Sequence, residues 1–550
     1  MKKFLILDCY VDEPTCLGVP PFVSPYPRYI YGALISAGLS NENIVYNTID
    51  HLRMNNYHFT EGYDHVFIIG GAAVPGKYLG SRIGTLSEIN KILERNSKTK
   101  MSIGGSISPL IKSASSNIST IQYDIDKFAF TLTQGSPTDK KRTIEECALW
   151  SVRGAEIVKH HPWYPNIICE IESGRGCPRQ VHCSFCLEGL DREIEFRKPK
   201  DIINEIDALI SHGVFRFRIG KQADIIQYGT LLNKYNKGFP QPNIHAVKEL
   251  FDELKKHKES GKIEVLNVDN ANPGTIVNWP DESSIILESI ADAVTPGDTL
   301  PFGIESFDES VVQQNNLKVM PDDALFAIRL VNEIGGKRED GIPKLLPGIN
   351  LIHGLKGETT DTFKINHKYL ERISHEGLLL KRINIRKLQP YPGTPIFNEK
   401  HKIGNVITKR FEYYRDRIRD EIDNSMLKKI YPPGTILKNV CVLDLRNEYS
   451  IGKQIASYSI TVKVPTVFPK MDFIDTIVMA HRERSILALP VPFSINSVSQ
   501  KNFEIIPGIS KAKAAELILK RPFHTIDSFT DELTNVHGEL VKVIREKSLV

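Results

Sequence analysis

The chain has 550 residues, of which 41% are hydrophobic and 25% charged, and its formal net charge is +4. This composition is that of an ordinary globular protein with several domains, and so small a net charge says little for or against nucleic-acid binding. No apolar run approaches the length of a membrane span, which excludes an integral helical membrane protein, and the apolar run after Lys3 is too short for a signal-peptide core. We therefore expect a cytoplasmic protein with no membrane partner.

Residues 1–150 alternate short apolar runs with helix-length stretches. The runs typical of buried strands are Phe4–Leu7, Ile44–Tyr46, Val66–Ile69 and Met101–Ile103. Tyr29–Ala37 has the pattern of a helix between the first two. Gly70-Gly71 and Gly104-Gly105 end two of the strands in turns that a ligand could approach closely. The pattern predicts a Rossmann-like domain.

Residues 160–407 repeat a strand–helix unit. The predicted strands are 167–171, 215–219, 263–268, 300–305, 348–352 and 382–386. Because each crossover between parallel strands needs a helix, this alternation predicts a parallel sheet, curled into a partial (β/α)6 barrel. Ligands of such sheets bind at the carboxyl ends of the strands.

Three cysteines, Cys177, Cys183 and Cys186, lie within ten residues just after the first of these strands. Three thiolates are one fewer than a structural zinc site or the usual iron–sulfur ligation needs, so one iron of a cluster would stay open to another ligand. Cys169 is an alternative fourth ligand, but its position in a strand favours packing as a small hydrophobe. A disulfide is disfavoured, because the 8 cysteines show no framework spacing.

The run Gly176-Cys177-Pro178, followed by Cys183-Ser184-Phe185-Cys186, resembles the cluster loop of radical S-adenosylmethionine enzymes. The resemblance implies a four-iron four-sulfur cluster held by the three thiolates, with S-adenosylmethionine chelating the fourth iron. One electron from the cluster would cleave the sulfonium and give a 5′-deoxyadenosyl radical. Five residues separate Cys177 from Cys183 where the family usually has three, which lengthens the loop without removing a ligand.

Later segments resemble the cofactor-binding turns of the same family, in the same order. The residues to which the resemblance gives cofactor contacts are Phe185, Gly220, Gln222, Glu305, Ser306 and Gly354. Glu305 would bond the ribose hydroxyls, and Gly354 would lie in the turn beside the adenine. The sequence identifies no general acid or base, so the catalytic residues stay unknown.

The first 150 residues resemble the cobalamin-binding-type domain that precedes many radical enzyme barrels. The Asp-X-His-X-X-Gly signature of a cobalt-ligating histidine is missing, which leaves open both a cobalamin site and an empty scaffold. A methylthiotransferase would carry three further cysteines here. The candidates Cys9, Cys16 and Cys147 do not have that family's spacing, so they are interpreted as core or loop thiols.

Three segments follow the barrel. Residues 408–430 have the mixed charges of a solvated linker helix. Residues 431–495 contain the strand-like runs Ile436–Val442, Ser457–Val464, Asp475–Ala480 and Ser485–Pro490. These short runs predict a small β-barrel that resembles, weakly, the RNA-binding barrel of tRNA-modifying relatives.

Residues 496–550 contain a segment, Phe503 to Ile518, that resembles a helix-hairpin-helix motif. Such a turn and the helix start after it can bind a nucleic-acid phosphate without reading sequence. The predicted nucleic-acid contacts are Gly508, Ser510, Lys511 and Lys513. A protein-contact role for the same hairpin is the alternative.

Together these patterns favour a radical enzyme that modifies a nucleoside in RNA, most simply tRNA, by C-methylation or a related insertion. The expected cofactors are the four-iron four-sulfur cluster and S-adenosylmethionine, with cobalamin open, and the expected partners are RNA and an electron donor. The alternatives are a radical enzyme acting on a small molecule, a sulfur insertion like that of methylthiotransferases, and a non-catalytic cluster-bearing nucleic-acid-binding protein. The sequence does not determine the oligomeric state.

Overall fold

The computed structural model describes residues 2–11, 22–71, 82–190, 193–482 and 484–550. Cys16 lies outside these residues. The chain divides into two compact units, the first made of Met1–Ala293 with Pro390–Glu399 and the second of Val294–Gln389 with Lys400–Val550. The predicted α/β class is confirmed. Among the described residues, no helix is both long and apolar enough to cross a bilayer.

The first unit begins with a parallel sheet of five strands. In sheet order the strands are Ile44–Thr48, Phe4–Asp8, His65–Ile69, Met101–Gly104 and Ile118–Thr120. With strands numbered along the chain this order is 2-1-3-4-5, the flavodoxin-like arrangement of a doubly wound sheet. The central strands are buried along their whole length. The edge strand Ile118–Thr120 was not predicted, because three mostly exposed residues give no apolar run.

Helices surround this sheet and lead to the next one. The helices of the segment up to residue 153 are Tyr26–Ser36, Ile49–Met54, Leu86–Arg95, Ile125–Thr133 and Ile144–Arg153. Two of them begin with a capping box, in which Thr85 pairs with Glu88 and Thr143 with Glu146. The first helix begins at Tyr26, three residues before the prediction, because Pro27 in its first turn has no backbone N–H to leave unpaired.

A second sheet of the first unit contains the first three strands of the predicted barrel. In sheet order its strands are Val265–Val268, Arg216–Gly220, Ile168–Glu172 and Phe22–Val23, all parallel. The crossover helices of this sheet are Pro199–Ser211 and Ile244–Glu259, followed by Pro273–Asn278 and Pro280–Ala293. Phe22–Val23 belongs to the predicted N-terminal segment, so that segment also supplies an edge strand to the barrel sheet.

The second unit contains the other three barrel strands. They are Asp298–Glu305, Leu345–His353 and Arg382–Lys387, parallel and in that order. The helices between them are Glu309–Gln314, Pro321–Gly335 and Thr360–His375. The predicted linker is a continuous helical stretch, α-helical over Asn405–Ile418 and Asn424–Ile430 with one π-helical turn, Arg419–Asp423, between them.

A closed five-stranded barrel follows in the same unit. Its strands are Ile436–Arg446, Tyr449–Gln454, Thr461–Val464, Ser485–Val491 and Phe473–Arg482. The sequence predicted four strands and missed Tyr449–Gln454, which contains a glycine and the polar residues Ser450, Lys453 and Gln454. Gly452 is required there, because a Cβ at this position would lie 2.7 Å from the backbone oxygen of Cys441 on the neighbouring strand. The predicted strand 457–464 forms only from Thr461.

Four helices complete the second unit: Gln500–Glu504, Lys511–Leu519, Ile526–Thr530 and Gly538–Lys547. Their apolar side chains pack in one cluster with residues of the barrel, for example Phe503 and Leu517 with Ile477 and Leu489. The last two predicted segments therefore share a single hydrophobic core.

Candidate active site

The cysteine loop leaves the carboxyl end of the buried strand Ile168–Glu172. Ser173 donates its backbone N–H to the oxygen of Gly220, at the end of the neighbouring strand, at 3.1 Å. After the loop, Arg197 donates its N–H to the oxygen of Ser173 at 3.0 Å. Gly174 and Arg175 then pair with Glu195 and Phe196 in a two-stranded ribbon. The ribbon holds both ends of the loop at the carboxyl edge of the sheet.

The three predicted cluster cysteines lie on this loop. Cys183 is 5% exposed, and Cys177 and Cys186 are half-buried. The N–H of Cys186 donates to the oxygen of Cys183 at 3.2 Å, which turns the chain tightly between these two predicted ligands. The N–H of Ile396 donates to the oxygen of Ser184 at 3.0 Å, so the segment Pro390–Glu399 supports the loop. Phe185 lies between the last two cysteines and is half-buried.

Arg179 touches one of the predicted ligands, which sequence reasoning missed. Its Nη1 donates to Cys183 Sγ at 3.3 Å, and the arginine is 9% exposed. His182 Nε2 lies 3.1 Å from the backbone oxygen of Cys177. Both residues belong to the lengthened stretch between the first two cysteines, so this stretch contacts two of the predicted ligands.

The other cysteines of this unit are core residues where the structure describes them. Cys169 is fully buried in its strand, and burial raises the pKa of its thiol to about 11. Burial also raises the thiol pKa of Cys9 and of Cys147. A raised pKa favours the neutral thiol over the thiolate that binds metal. These environments favour the packing interpretation for all three.

Gly220 and Gln222 lie beside the start of the cysteine loop. Gln222 is 4% exposed; its Oε1 accepts from Ser173 Oγ at 2.9 Å and its Nε2 donates to the oxygen of Asp269 at 2.9 Å. Gly220 makes room for a carboxylate, because a Cβ there would lie 2.4 Å from Glu170 Oε1. Gln222 thus connects the ends of three strands, and its contact with the cofactor stays a prediction.

A buried group of charged residues lies on these same strands. Arg218 is fully buried; its Nη1 donates to Glu170 Oε1 at 3.3 Å, and it also forms an ion pair with Asp269. Lys221 Nζ lies 3.9 Å from Glu170 Oε2. The sequence carried a signal for this group, since Glu170 and Arg218 alternate with apolar residues and are direct partners in the strand register. The face of the sheet that carries these residues is therefore polar, although it is buried.

In the second unit, Glu305 ends the strand Asp298–Glu305 in an unusual conformation. Its φ is 68°, and the strand register shifts between Gly303 and Glu305. A left-handed backbone at a residue other than glycine costs free energy and is found often at binding sites. Glu305 is 5% exposed, and burial raises the pKa of its carboxyl group although Lys318 Nζ lies 3.7 Å away.

The carboxylate of Glu305 has a free acceptor. Its Oε2 is buried and has no hydrogen-bond partner among the described residues. A buried oxygen without a partner costs free energy unless a ligand supplies a donor. A ribose hydroxyl is such a donor, so the chemistry of Glu305 fits the role that the resemblance implies.

Ser306 and Gly354 are the other predicted contacts of this unit. Ser306 is 1% exposed, and its Oγ accepts from the N–H of Asp308 at 3.1 Å, which caps the following turn. Gly354 has φ 101°, its N–H donates to Glu358, and its oxygen lies 2.8 Å from His401 Nε2. Because the strands that end at Glu305 and His353 are parallel neighbours, these residues share one edge of the sheet.

The predicted nucleic-acid contacts lie around a tight turn between two helices. Gly508 has φ 93°, and a Cβ there would lie 2.1 Å from the oxygen of Asn535. Ser510 caps the helix Lys511–Leu519 by accepting from the N–H of Lys513. Lys511 is exposed, whereas Lys513 Nζ is 2.7 Å from Glu532 and 3.0 Å from Glu516. Lys511 is thus the more available cation.

Gly70 and Gly105, at the carboxyl edge of the N-terminal sheet, pack closely against the protein itself. A Cβ at Gly105 would lie 2.3 Å from the oxygen of Gly70, and one at Gly70 would lie 2.5 Å from Ile107. These two glycines therefore allow close internal packing, and the approach of a ligand to these turns stays a prediction. Residues 12–21 and 72–81, which follow two of the strands, lie outside the described residues.

Sequence comparison finds two relatives that match most of the chain. An uncharacterized protein of Archaeoglobus fulgidus is 37% identical over 532 residues, which cover 94% of this chain and 95% of the relative. The uncharacterized protein MJ0274 of Methanocaldococcus jannaschii is 39% identical over 511 residues, 88% of this chain and 92% of the relative. No protein-family model matches the chain.

Comparison with solved structures finds distant likenesses. TsrM, a radical S-adenosylmethionine methyltransferase from Kitasatospora setae, gives a TM-score of 0.46 at 12% identity, over 72% of this chain and 76% of TsrM. OxsB, a cobalamin-dependent S-adenosylmethionine radical enzyme, gives 0.48 at 13% identity, over 78% of this chain and 56% of OxsB. At these TM-scores the likenesses carry no argument about activity, which has to come from the residues of this chain.

Proposed function

We propose a radical S-adenosylmethionine activity for this chain, which belongs to the same protein family as the archaeal relatives from A. fulgidus and M. jannaschii. The observation that carries the proposal is the loop that holds Cys177, Cys183 and Cys186 at the carboxyl end of a buried parallel strand, with Cys169 buried in the strand itself. Three thiolates without a fourth suit a cluster with one open iron.

The chain's own residues would hold and orient the cofactors. The cysteine thiolates would bind a four-iron four-sulfur cluster, and the free oxygen of Glu305 would accept a hydrogen bond from a hydroxyl of S-adenosylmethionine. When bound, the two cofactors supply one-electron cleavage of the sulfonium. The protein supplies position and exclusion of water, as cofactor enzymes generally do.

We propose RNA, and tRNA in particular, as the substrate. The support is the order of the C-terminal elements, a small closed barrel that shares a core with helices flanking the turn at Gly508. Closed small barrels and helix starts of this kind can contact a phosphate backbone without reading sequence. A target base would have to leave its stack to be modified at carbon. We expect this chemistry in the cytoplasm.

Cobalamin is proposed as a further cofactor of the N-terminal sheet. The strand order 2-1-3-4-5 has its switch point between Phe4–Asp8 and His65–Ile69, where such sheets bind ligands at their carboxyl ends. Reconstitution with hydroxocobalamin, followed by gel filtration and measurement of cobalt, tests this. One cobalt per chain would support the site, and no retained cobalt would contradict it.

Anaerobic reconstitution tests the radical activity. The full chain is loaded with iron and sulfide, reduced with dithionite and mixed with S-adenosylmethionine, and 5′-deoxyadenosine is measured. We expect its formation to require all three loop cysteines. A loaded protein that makes none would contradict the enzymatic proposal and favour the non-catalytic, cluster-bearing alternative.

Comparison of tRNA nucleosides tests the substrate. Total tRNA from cells with and without the gene is digested, and the nucleosides are compared by mass spectrometry. A nucleoside that disappears with the gene would support the proposal, and its mass would give the added group and separate methylation from sulfur insertion. An unchanged profile, with 5′-deoxyadenosine still formed by the pure protein, would favour a small-molecule substrate.

A further inference from the structure

The stretch between Cys177 and Cys183 contains Pro178-Arg179-Gln180-Val181-His182, two residues more than the usual spacing of the resembled family. A longer loop costs additional conformational entropy when it is ordered. It is nevertheless held in place at several points. The contacts of this stretch indicate what the additional residues contribute to the site.

Arg179 extends from this stretch back to a predicted cluster ligand. Its Nη1 donates to Cys183 Sγ at 3.3 Å, and only 9% of the residue is exposed. The contact therefore places a cationic guanidinium group beside the sulfur. With Cys183 itself 5% exposed, this pair lies in a region of low dielectric, where charges interact strongly.

A neighbouring hairpin fixes the position of Arg179. The N–H of Gln180 donates to the oxygen of Gly238 at 3.0 Å, in the turn between Tyr235–Asn236 and Phe239–Pro240. The guanidinium carbon of Arg179 lies 4.8 Å from the ring centre of Phe239, which is 4% exposed. A backbone hydrogen bond at the next residue and a cation–π contact thus help to hold the arginine beside Cys183.

We propose that Arg179 is a positioning residue that sets the reduction potential of the cluster. The inference rests on the proposed function, because it needs a cluster on Cys183. Hydrogen bonds to ligand sulfur and nearby charge are among the main determinants of iron–sulfur potentials. Reduction adds one electron, supplied by an external one-electron donor, and the added negative charge is stabilised by the guanidinium. Arg179 therefore makes the cluster easier to reduce.

A redox titration followed by electron paramagnetic resonance tests the proposal on the full reconstituted chain without substrate. Arg179→Met keeps the length of the side chain and removes both the charge and the donor. We expect a roughly tenfold shift of the equilibrium toward the oxidised cluster, about 59 mV lower in midpoint potential for a one-electron couple. Arg179→Lys keeps the charge without the planar fork, so its potential should lie between those of Arg179→Met and the wild type.

A matched control separates this contact from a general effect of positive charge. Lys237 is an exposed cation in the same hairpin and has φ 46°, a conformation that asparagine tolerates. Lys237→Asn should leave the potential unchanged. Phe239→Leu should lower the potential by less than Arg179→Met, because it removes only the ring that fixes the guanidinium.

Two results would overturn the inference. The first is an equal midpoint potential in wild type and Arg179→Met, including the case in which the variant assembles less cluster but the assembled part titrates as before. The second is an equal shift in Lys237→Asn. If wild-type protein forms no cluster, the proposed function fails with it. If the wild type cleaves S-adenosylmethionine but Arg179→Met has the same midpoint potential as the wild type, this inference alone fails.

Discussion

At the scale of single residues, the predicted cluster cysteines and the core cysteines lie in different kinds of structure. Cys177 and Cys186 are half-buried on a loop, whereas Cys169, eight positions before Cys177, is fully buried in a strand. Burial raises the pKa of the Cys169 thiol to about 11, which opposes the thiolate form. Cysteines that lie close together in the sequence therefore differ in how readily they can bind a metal.

Substitution of single cysteines tests this division. We expect Cys177→Ala, Cys183→Ala and Cys186→Ala each to abolish the reconstituted cluster, because a cubane with an open iron has no spare protein ligand. Cys169→Ala should retain full iron and sulfide content, measured together with the visible absorption of the cluster. Loss of the cluster in Cys169→Ala would show that a fourth cysteine closes the site.

Glu305 combines a strained backbone with a buried carboxyl group. Burial raises its pKa, so the folded chain keeps this proton to higher pH than the unfolded chain does. Stability is consequently lost as the pH rises from the ordinary pKa of glutamate, about 4.3, through the higher folded value. Above the folded pKa, the buried ionised carboxylate has a free-energy cost that ligand binding can offset.

Glu305→Gln should therefore separate stability from binding. We expect a melting temperature at pH 8 that is equal to or above that of the wild type, and weaker binding of S-adenosylmethionine by roughly tenfold, as for loss of a hydrogen bond to a charged group. Thermal melting at pH 5 and pH 8 and calorimetric titration with S-adenosylmethionine measure both. A lower melting temperature with unchanged binding would indicate a purely structural role.

At the scale of elements, buried ion pairs connect helices of the first unit. Glu205, on the helix Pro199–Ser211, is fully buried and accepts from Arg28 Nη2 at 2.8 Å and from Arg197 Nη1 at 2.5 Å. Arg28 belongs to the helix Tyr26–Ser36 of the N-terminal segment and also donates to the backbone oxygen of Glu170. One carboxylate thus joins the N-terminal segment to the barrel sheet.

Glu205→Gln should destabilise the first unit strongly. Two buried guanidinium groups would lose their counter-charge, and breaking such a buried pair costs about 3–5 kcal/mol. Urea unfolding measures the loss as a lower midpoint. Glu253→Gln is the matched control, since Glu253 pairs with Lys256 on the surface of a helix of the same unit, and its midpoint should not change. Equal midpoints for both variants would contradict the argument.

At the scale of the whole molecule, charge is nearly balanced. The chain has 70 basic and 66 acidic residues, so its overall field gives little attraction for RNA. Binding has to come from local cations that lack close acidic neighbours. Lys511 is exposed at the helix start after Gly508, whereas Lys513 and Lys520 both pair with Glu516 and Glu532.

The salt dependence of tRNA binding tests this local electrostatics. We expect Lys511→Ala to weaken binding and to reduce the slope of log affinity against log salt by roughly one, the effect of losing one phosphate contact. Lys520→Ala should change the slope less, because its charge is already neutralised by two carboxylates. Filter binding at salt concentrations from about 50 to 200 mM, the range over which phosphate contacts weaken, measures the affinity and the slope for each variant. An equal slope for wild type and Lys511→Ala would exclude Lys511 from the interface.

The sequence by itself determined the chemistry-bearing loop and most of the elements. Strand and helix periodicity indicated all six strands of the predicted partial barrel, which the structure places in two parallel sheets, one in each unit. The cysteine spacing indicated an open cluster, because ligand count is a local property. Elements that lack such a pattern were missed, as with Ile118–Thr120, Phe22–Val23 and Tyr449–Gln454.

Only the tertiary structure decided which residues meet. The hydrogen bond from Arg179 to Cys183 depends on a hairpin more than fifty residues further along the chain, and the pairing of Arg218 with Glu170 depends on strand register. The free oxygen of Glu305 likewise follows from burial and backbone conformation together. Local sequence patterns alone do not determine these features, because burial and strand register are set by the packing of the whole fold.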